Sequence, residues 1–558
     1  MTVLLYLCTG FSFLFSALTF IPAWDTSFWA FPLVLLFSVL LLVAAIRLLA
    51  KPDRKKLSLT RKILEYHPFI LLAGFIIRRA GVSDGSFVLD LFTVLSWLAV
   101  SALSIVILYR LSEKQLPRYF PSISPAGDGK KSLVSHILEW VDALLQAACL
   151  VLLINLFIFQ LYAIPSESMV PEFMVGDRVV VIKTPSGPKF PLSKVGFPRM
   201  RSYSRGDIVV FNNPHYNDTK EARVRSFTSQ LVYMLTFTSV NINRDEYGAV
   251  KADPLVKRIT GVPGEKLLMV DGILYSKRAG DVDFAPVVED ASWAAWNIAS
   301  LPRSDLALVQ RVPLSREAFS LLESVESRRA NLDVAKAAVE ARRLASRFAA
   351  LKPSADTVSA VPDLFPKARR EFISMFQSND EITRMLLTTN GGLLWFQEFM
   401  TAWTDSPARE NVYDIQSFHL NLLLKLDFGR LVVRNAELFA ANSTAAQFSG
   451  DKERNQILSE ADVYREYLFN HDQRNMGEFP AGKDEYIPDN SYFMMGDNRF
   501  NSLDMRHSYQ IRHASVDAFD QYSFVYRSNL SPQYVGADRI LGSALFRFWP
   551  LSRAGIPE

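Results

Sequence analysis

Four short blocks of the chain carry side chains that could do chemistry together. In the first, Ser166-Glu-Ser168-Met-Val-Pro171, two hydroxyl groups lie two positions apart in a segment whose prolines prevent a regular helix. A serine hydroxyl becomes a nucleophile when a neighbouring base takes its proton. Segments of this composition are more often linkers, so the block predicts catalysis only if a base lies elsewhere in the chain.

The candidate base is a lysine in a predicted strand. After a first predicted strand, Arg205–Phe211, the segment Leu255–Glu265 alternates so that Leu255, Lys257 and Ile259 share one face. A lysine of ordinary pKa, about 10.4, is almost fully protonated at pH 7. Burial that lowers the pKa to about 8, at a cost of roughly 3 kcal/mol, would make it a base. The alternative is a lysine that extends from a sheet edge into solvent.

The fourth block is Tyr492–Arg506, an apolar strand that leads into a turn rich in Gly, Asp, Asn and Arg. Taken alone, this turn predicts a loop held by salt bridges.

The elements that must position these blocks begin with a membrane region. Four stretches lack charged side chains over about the length of a membrane-spanning helix. They are Thr2–Ile21, Thr26–Ile46, Leu91–Tyr109 and Ala143–Ile164. No basic residue precedes the first stretch and a second apolar stretch follows it at once, which favours a retained anchor over a cleaved secretory signal.

Two basic loops define the predicted topology. One contains Arg47 to Lys62 and the other Arg110 to Lys131, and the positive-inside rule places both in the cytoplasm. Two cytoplasmic loops require an outward crossing within residues 63–80, although the length of the apolar piece Pro68–Ile77 favours a re-entrant segment. The last stretch then runs outward and delivers the rest of the chain to the extracytoplasmic side.

The four blocks, in this order after a membrane span, resemble the boxes of bacterial signal peptidase I (leader peptidase), a Ser–Lys serine protease family. The resemblance implies that Ser168 is the nucleophile and Lys257 the general base, with Arg258 structural. It assigns the oxyanion hole to the Ser166 hydroxyl and the Ser168 N–H. In the last box the matching residues are Gly496, Asp497, Asn498, Arg499, Ser502, Asp504 and Arg506.

In that last box, the resemblance implies that Ser502 orients the lysine and that the charged members, among them Asp497, Asp504 and Arg506, fix the loop by ion pairs. The chain departs from the family's common pattern at Phe500, where Asp is frequent, and at Glu172-Phe173, where Thr-Leu is frequent. These departures leave the fit of the substrate open.

The resemblance further implies a mostly-β catalytic domain that cleaves signal peptides from exported preproteins after small residues, without a metal or organic cofactor. It implies a multi-pass protein of the bacterial cytoplasmic membrane whose active site faces the extracytoplasmic side. The expected partners are signal peptides and the lipid bilayer. Nucleic acid is not expected, because 61 basic and 57 acidic residues give a net charge of only +4.

The expected domains are an anchor (1–164), a catalytic β domain in two parts (165–277 and 489–558) and a mainly helical insertion (278–488). Within the insertion, Ser315 is predicted to cap a helix that continues to Pro353, and amphipathic helices follow at 368–388 and 409–440. Such a set most often packs on itself; the alternative is a docking surface for a partner of the secretion machinery. The apolar run Leu231–Phe237 predicts either a membrane-surface segment or a buried strand.

A serine–histidine protease and a non-enzymatic scaffold are rival functions for this chain. A serine–histidine protease would use His215 or His507, but the position that matches the family's base is Lys257. A catalytically weak membrane-anchored scaffold on the same fold is the alternative outside enzymes, and the retention of Ser168 and Lys257 argues against it. The two cysteines, Cys8 and Cys149, lie in apolar runs and do not indicate a disulfide or a metal site.

Overall fold

The structure is a computed structural model that describes residues 1–20, 29–81, 86–123, 133–216, 219–236, 239–244, 248, 251–405 and 407–557. Some predicted features lie outside these residues: the ends of two predicted spans at 21 and 26–28, Lys130 and Lys131 of the second basic loop, and Phe237.

The first part of the chain is helical because its apolar runs are long and contain few glycines or prolines. The helices are α1 (Thr2–Phe20), α2 (Ala30–Ala50), α3 (Arg54–Gly81), α4 (Phe87–Arg110), the short α5 (Leu116–Tyr119) and α6 (Leu133–Phe157). Helices α1 to α4 pack around one apolar core that includes Phe15, Leu41, Leu71 and Val100. Of the helices that the structure describes, α1, α2, α4 and α6 are long and apolar enough to cross a membrane.

Helix α3 runs without a break through residues 63–80. From the sequence alone, this segment could be either a full membrane crossing or a re-entrant segment. The 28 residues of α3 extend about 42 Å, and Pro68 lies inside the helix. Arg54, at its start, pairs with Glu113 after the end of α4 at 2.5 Å. The two basic loops therefore lie at the same end of the helical bundle.

Helix α6 differs from the predicted span Ala143–Ile164. The helix begins at Leu133 and ends at Phe157, and residues Phe159–Ala163 form the first strand of the catalytic domain. The prediction of a span to Ile164 was wrong because hydrophobicity alone does not distinguish the end of a helix from a buried strand. Asp142 holds α6 to α3 by accepting a hydrogen bond from Tyr66 at 2.6 Å.

The chain after α6 contains a β domain. Its strands are β1 (Phe159–Ala163), β2 (Arg178–Ile182), β3 (Ile208–Phe211), β4 (Leu255–Gly261), β5 (Glu265–Val270), β6 (Ile273–Arg278), β7 (Ala285–Pro286), β8 (Met476–Phe479), β9 (Ser491–Met495), β10 (His507–Ser515), β11 (Val525–Leu530), β12 (Val535–Gly536) and β13 (Ile540–Trp549). Among the described residues, the main sheet has the order β1-β2-β13-β3-β4-β9-β12, the second sheet β7-β6-β5-β8, and β10 pairs with β11.

The register of the main sheet brings the lysine segment, Leu255–Glu265, beside the last block, Tyr492–Arg506. Val209 of β3 lies opposite Lys257, and Met495 of β9 lies opposite Arg258, in antiparallel pairs. The strands predicted at Arg205–Phe211, Leu255–Thr260 and Tyr492–Met495 are thus confirmed, with ends that differ by a few residues. The turn after β9 is placed directly beside the end of β4.

One helix, α7 (Lys220–Leu235), lies between β3 and β4. The ten α-helices that the structure describes after β7 form the insertion. They are α8 (Asp290–Trp293), α9 (Arg303–Leu306), α10 (Arg316–Ala330), α11 (Val334–Leu351), α12 (Phe372–Gln377), α13 (Asn379–Thr388), α14 (Gly392–Thr401), α15 (Val412–Ala440), α16 (Ala445–Ser449) and α17 (Lys452–Arg474). Their aromatic-rich core also contains Val516, Phe524 and Tyr526 from the hairpin β10–β11. The insertion therefore packs against the last part of the catalytic domain as well as on itself.

The structure confirms some local predictions for these helices and corrects others. Ser315 caps α10, accepting a hydrogen bond from the Ala318 N–H at 3.2 Å. The single helix expected up to Pro353 was wrong, because Asp333 caps a second helix, α11. The alternative prediction of a buried strand at Leu231–Phe237 was also wrong for residues 231–235, because these residues lie in helix α7.

Candidate active site

The two residues predicted to do the chemistry are in contact. The Lys257 Nζ lies 2.7 Å from the Ser168 Oγ, and it also donates to the Val256 carbonyl at 2.9 Å. Ser168 stands in a single 3-10 turn, Glu167–Met169, just after β1, whereas Lys257 projects from β4. The fold thus joins residues that are 89 positions apart in the sequence.

Lys257 is placed where a base could function. Its side chain is only 3 % exposed. Burial lowers the pKa of Lys257 to about 8, although the negative charges of Asp504 and Asp497 oppose this shift. About a tenth of the molecules would then carry a neutral amine at pH 7, a several-hundredfold increase over an ordinary lysine.

The first block also supplies donors for an oxyanion. The Ser166 hydroxyl lies 3.4 Å from the Ser168 Oγ, so it borders the nucleophile. The Ser168 N–H donates to no group among the described residues, which leaves it available to a substrate oxygen. Asn498 holds the turn in place from the other side: its N–H donates to the Ser168 carbonyl and its amide to the Glu167 carbonyl, both at 3.1 Å.

Two buried ion pairs fix the last block. Arg258 donates to both carboxylate oxygens of Asp497, at 2.9 and 2.7 Å, which ties β4 to the turn after β9. Arg506 forms a similar two-bond pair with Asp504. Burial alone would raise the pKa of Asp504, but the charge and hydrogen bonds of Arg506 lower it well below its usual range. Asp504 also accepts the Gly496 N–H at 2.9 Å, so the whole turn is rigid.

Ser502, whose predicted role is to orient Lys257, makes no hydrogen bond to it in this structure. Its hydroxyl is buried but makes no hydrogen bond within the described part of the chain, so the expected contact with Lys257 is not formed. The hydroxyl nevertheless lies beside the nucleophile turn, because a Cβ built on Gly496 would be 2.3 Å from the Ser502 Oγ and 2.4 Å from the Ser168 carbonyl oxygen. In this structure, Ser502 packs beneath the turn and does not bind the lysine.

The beginning of the insertion, residues 290–311, contacts the same turn. Asp290 accepts a hydrogen bond from the buried Arg499 at 2.6 Å, and the Ala295 N–H donates to the Asp497 carbonyl at 2.8 Å. The Trp293 ring covers the Arg258 guanidinium, with 5.0 Å between Arg258 Cζ and the ring centroid. Sequence reasoning missed these contacts, since nothing in the spacing of Asp290 relates it to Arg499, 209 positions later, or that of Trp293 to Arg258 in the earlier strand β4.

Glu167, between the two serines, was also missed. Its side chain is buried and accepts the backbone N–H groups of Gln310 and Arg311 as well as the amide of Asn501. A carboxylate held by several donors is costly to remove. Glu167 therefore fastens the nucleophile turn to the insertion.

The structure also explains why this chain has Phe500 where the family's common pattern has Asp. Its ring packs against Trp296 and Phe319 of the insertion, at centroid distances of 5.5 and 6.3 Å. Arg474 lies over both of these insertion rings. An aspartate here would put a charge into this aromatic cluster, so the aromatic residue fits a chain that carries the insertion.

Replacing Phe500 with aspartate should loosen the insertion from the catalytic turn. We expect a loss of about 3 kcal/mol in the free energy of unfolding, as for other large-to-small changes in aromatic clusters, with an added cost for the buried charge. Chemical denaturation measures this change, and Phe469→Asp, at an exposed phenylalanine, is the matched control. Equal stability of both variants would contradict the docking role of Phe500.

The histidines of the rival proposal lie away from the nucleophile. His507 is buried against Asn529 at 3.1 Å, and His215 lies beside Gln533 at 3.0 Å. Neither histidine forms a hydrogen bond with Ser168 among the described residues. Among the described residues, no group of three His, Cys, Asp or Glu side chains could hold a metal ion.

Comparison with known proteins gives a family for the parts that build this site. Residues 137–286 and 433–549 match the family model described as signal peptidase, peptidase S26. The chain is 40% identical to signal peptidase I of Buchnera aphidicola subsp. Schizaphis graminum over 68 residues, 12% of this chain and 22% of that protein. It is 26% identical to signal peptidase I of Haemophilus influenzae over 147 residues, 26% of this chain and 40% of that protein.

A third relative is signal peptidase I T of Bacillus subtilis, 29% identical over 145 residues, which are 26% of this chain and 51% of that protein. The chain thus spans between about a fifth and a half of the length of these curated relatives. The contact between Ser168 and Lys257 lies within the matched segments and has the geometry that a serine nucleophile and its base require. Two segments of the chain, residues 137–286 and 433–549, are thus similar to the signal peptidase family S26.

Proposed function

We propose that this chain is a signal peptidase I: a serine endopeptidase that removes signal peptides from exported preproteins by cleaving after small residues. The observation that carries the proposal is the 2.7 Å contact between the buried Lys257 Nζ and the Ser168 Oγ. It joins a hydroxyl nucleophile to an amine whose pKa is lowered toward the physiological range. The similarity to signal peptidases supports the substrate class.

The proposed reaction follows from this geometry. Neutral Lys257 takes the proton of the Ser168 hydroxyl as its oxygen attacks the scissile carbonyl carbon. The Ser168 N–H and the Ser166 hydroxyl stabilise the negative charge on the carbonyl oxygen. The Lys257 ammonium then gives its proton to the leaving amine, which leaves an ester on Ser168. Lys257 next takes a proton from water, whose oxygen attacks the ester carbon. As the bond to the Ser168 oxygen breaks, Lys257 returns this proton to that oxygen, which restores the serine hydroxyl and the neutral amine and releases the new carboxyl end.

The same proposal places the site at the membrane surface. Strand β1 begins two positions after α6 ends and is 5 residues long, so at most about 36 Å of extended chain separates the helix end from Ser168. Exposed apolar side chains lie on β1 and β13, which flank β2 in the main sheet, and on residues next to these strands. They are Ile158, Leu161, Leu545, Phe546, Trp549, Leu551 and Ile556. This part of the sheet is suited to contact lipid.

We further propose five crossings, formed by α1, α2, α3, α4 and α6, with the two basic loops in the cytoplasm. The Arg54–Glu113 pair at one end of the bundle supports a full crossing by α3. The active site would then face the extracytoplasmic side of the bacterial cytoplasmic membrane. Residues 165–277 and 489–558 would form the catalytic domain, and 278–488 an insertion that positions the turn and offers a surface to the secretion machinery.

The test is cleavage of a preprotein with an A-x-A site by the detergent-solubilised full chain, followed by sequencing of the product N-terminus. We expect cleavage by the wild type, none by Ser168→Ala, and wild-type activity in Ser449→Ala, which changes an exposed serine of the insertion. Cleavage that persists in Ser168→Ala would overturn the assignment. An inactive wild type on several preproteins would favour the scaffold alternative.

The oxyanion assignment gives a separate prediction. Ser166→Ala should lower kcat about a hundredfold, because the hydroxyl stabilises charge that develops only in the transition state, and should leave KM nearly unchanged. Steady-state cleavage of the same preprotein measures both constants. A change in KM alone would instead indicate that Ser166 binds the ground-state substrate.

A further inference from the structure

A cavity of about 890 Å³ lies where the catalytic domain meets the helical bundle. It is formed by the loop 183–199, by Phe87 and Leu91 at the start of α4, by Leu156 near the end of α6, and by one face of α7. The loop is fastened to the bundle: Ser193 donates to Asp90 at 2.6 Å, and Arg79 donates to the Leu192 carbonyl at 3.0 Å. The cavity therefore lies at the end of the helices that bears the catalytic domain, away from Ser168.

The polar part of the cavity has an excess of positive charge. Of its described lining residues, seven are Lys or Arg and two are Asp. Both carboxylates already have a lysine nearby, Lys189 at 3.6 Å from Asp538 and Lys251 at 3.7 Å from Asp253. The excess of cations over carboxylates gives the cavity a positive potential that attracts an anion.

Three of these cations have no carboxylate partner among the described residues. Lys183 is 9 % exposed, and its Nζ donates only to neutral oxygens, the Asn155 carbonyl at 2.9 Å and the Gln160 amide at 3.3 Å. Burial lowers the pKa of Lys183 to about 8, as expected of an ammonium without a counter-ion. Arg199 donates to the Asn490 amide oxygen at 3.0 Å, and Lys194 is exposed.

The other part of the cavity is apolar. Phe87, Leu91 and Leu156 come from the ends of helices α4 and α6, and Phe190 of the loop packs against Phe157 at 4.9 Å between ring centroids. A ligand that fills the cavity must therefore combine an anionic group with an apolar portion. A soluble phosphate would satisfy the lysines but leave the apolar wall in water.

We propose that this cavity binds an anionic phospholipid, with the headgroup phosphate at Lys183, Lys194 and Arg199 and the first part of its acyl chains along Phe87, Leu91 and Leu156. The inference rests on the proposed membrane anchoring and is independent of peptidase activity. A bound lipid would join the catalytic domain to the bundle and fix the height of the active site above the bilayer.

The test uses the full chain with Ser168→Ala in neutral detergent, titrated with phosphatidylglycerol or phosphatidylcholine, and bound lipids counted by native mass spectrometry. The Ser168→Ala background separates lipid binding from any failure of the proposed catalysis. We expect saturable binding of phosphatidylglycerol that is about tenfold or more weaker in Lys194→Glu/Arg199→Glu. The matched control is Lys336→Glu/Arg342→Glu, at two exposed basic residues of α11, and should bind as the parent does.

Lys183→Met, which keeps most of the side-chain volume, is a second variant and should also weaken binding while thermal melting reports folding. If the cavity variants and the control variant lose phosphatidylglycerol binding equally, the lipid is attracted to the surface in general and the site is overturned. If phosphatidylcholine binds as tightly as phosphatidylglycerol, the role of charge is overturned. Displacement of the lipid by glycerol 3-phosphate or inorganic phosphate at similar concentration would overturn a lipid as the occupant.

Discussion

Replacing Lys257 with alanine should lower kcat/KM for a preprotein by about a thousandfold, with the folded structure retained. The expected size is that of a lost general base, since the serine hydroxyl would have to ionise without an acceptor for its proton. Lys257→Arg should be equally impaired, because a guanidinium stays protonated throughout the accessible pH range. Cleavage of the same preprotein by wild type and variants measures the effect.

The pH dependence of the wild type follows from the same residue. Burial lowers the pKa of Lys257 to about 8, and only the neutral amine can accept the serine proton. The fraction of active enzyme therefore increases with pH, so kcat/KM should rise about tenfold per pH unit below 8 and level off above it.

Lys336→Ala is the control for these measurements, because its side chain is 87% exposed on the insertion. It should keep both the wild-type rate and the rise near pH 8. A wild-type profile that is flat between pH 6 and 9, or a Lys257→Ala variant with normal turnover, would show that another group takes the proton.

Much of the candidate site could be predicted because its chemistry is local in sequence. The Ser166–Pro171 block, the alternation around Lys257 and the Gly-Asp turn after β9 are each recognisable within a few residues. Their order after an apolar helix is what makes the combination specific. The contact between Ser168 and Lys257 then follows from the sheet, whose pairing of β3, β4 and β9 depends on these same apolar runs.

The parts that could not be predicted depend on contacts between distant segments. Glu167 is an ordinary acidic residue in the sequence, and its importance arises from backbone groups of Gln310 and Arg311 that only the fold brings to it. The end of α6 was misplaced for a different reason: an apolar run continues from helix into strand without a polar break. Hydrophobicity therefore indicates burial there but not the type of element.

The insertion enters and leaves through neighbouring strands. Strand β5 pairs with β6, which ends where the insertion begins, and with β8, which comes directly after the last helix of the insertion. Because the two ends are already held together by the sheet, a long insertion at this point costs little closure entropy. The contacts of residues 290–311 with Arg499 and Glu167 then make the insertion part of the frame around the nucleophile, in addition to any docking role.

Gly496→Ala should reduce kcat/KM by about a hundredfold, although it adds only one methyl group. The new Cβ would lie 2.4 Å from the Ser168 carbonyl oxygen and 2.3 Å from the Ser502 Oγ, closer than real Cβ atoms approach their neighbours. Rotation of the Ser502 hydroxyl would leave its Cβ at 2.7 Å, and the Ser168 carbonyl is backbone and is held by the Asn498 N–H at 3.1 Å. The nucleophile turn must therefore shift, and a shift of about 1 Å at a reacting group costs about this much.

Gly555→Ala is the matched control, since a Cβ at that glycine meets no atom within 4 Å. It should cleave the preprotein at the wild-type rate, and thermal melting of both variants separates a displaced nucleophile from a loss of folding. Normal turnover in Gly496→Ala would mean that the turn can move without disturbing the Ser168–Lys257 contact. The close approach at Gly496 would then be a packing feature, and the position of the nucleophile would depend on Asn498 and Glu167 alone.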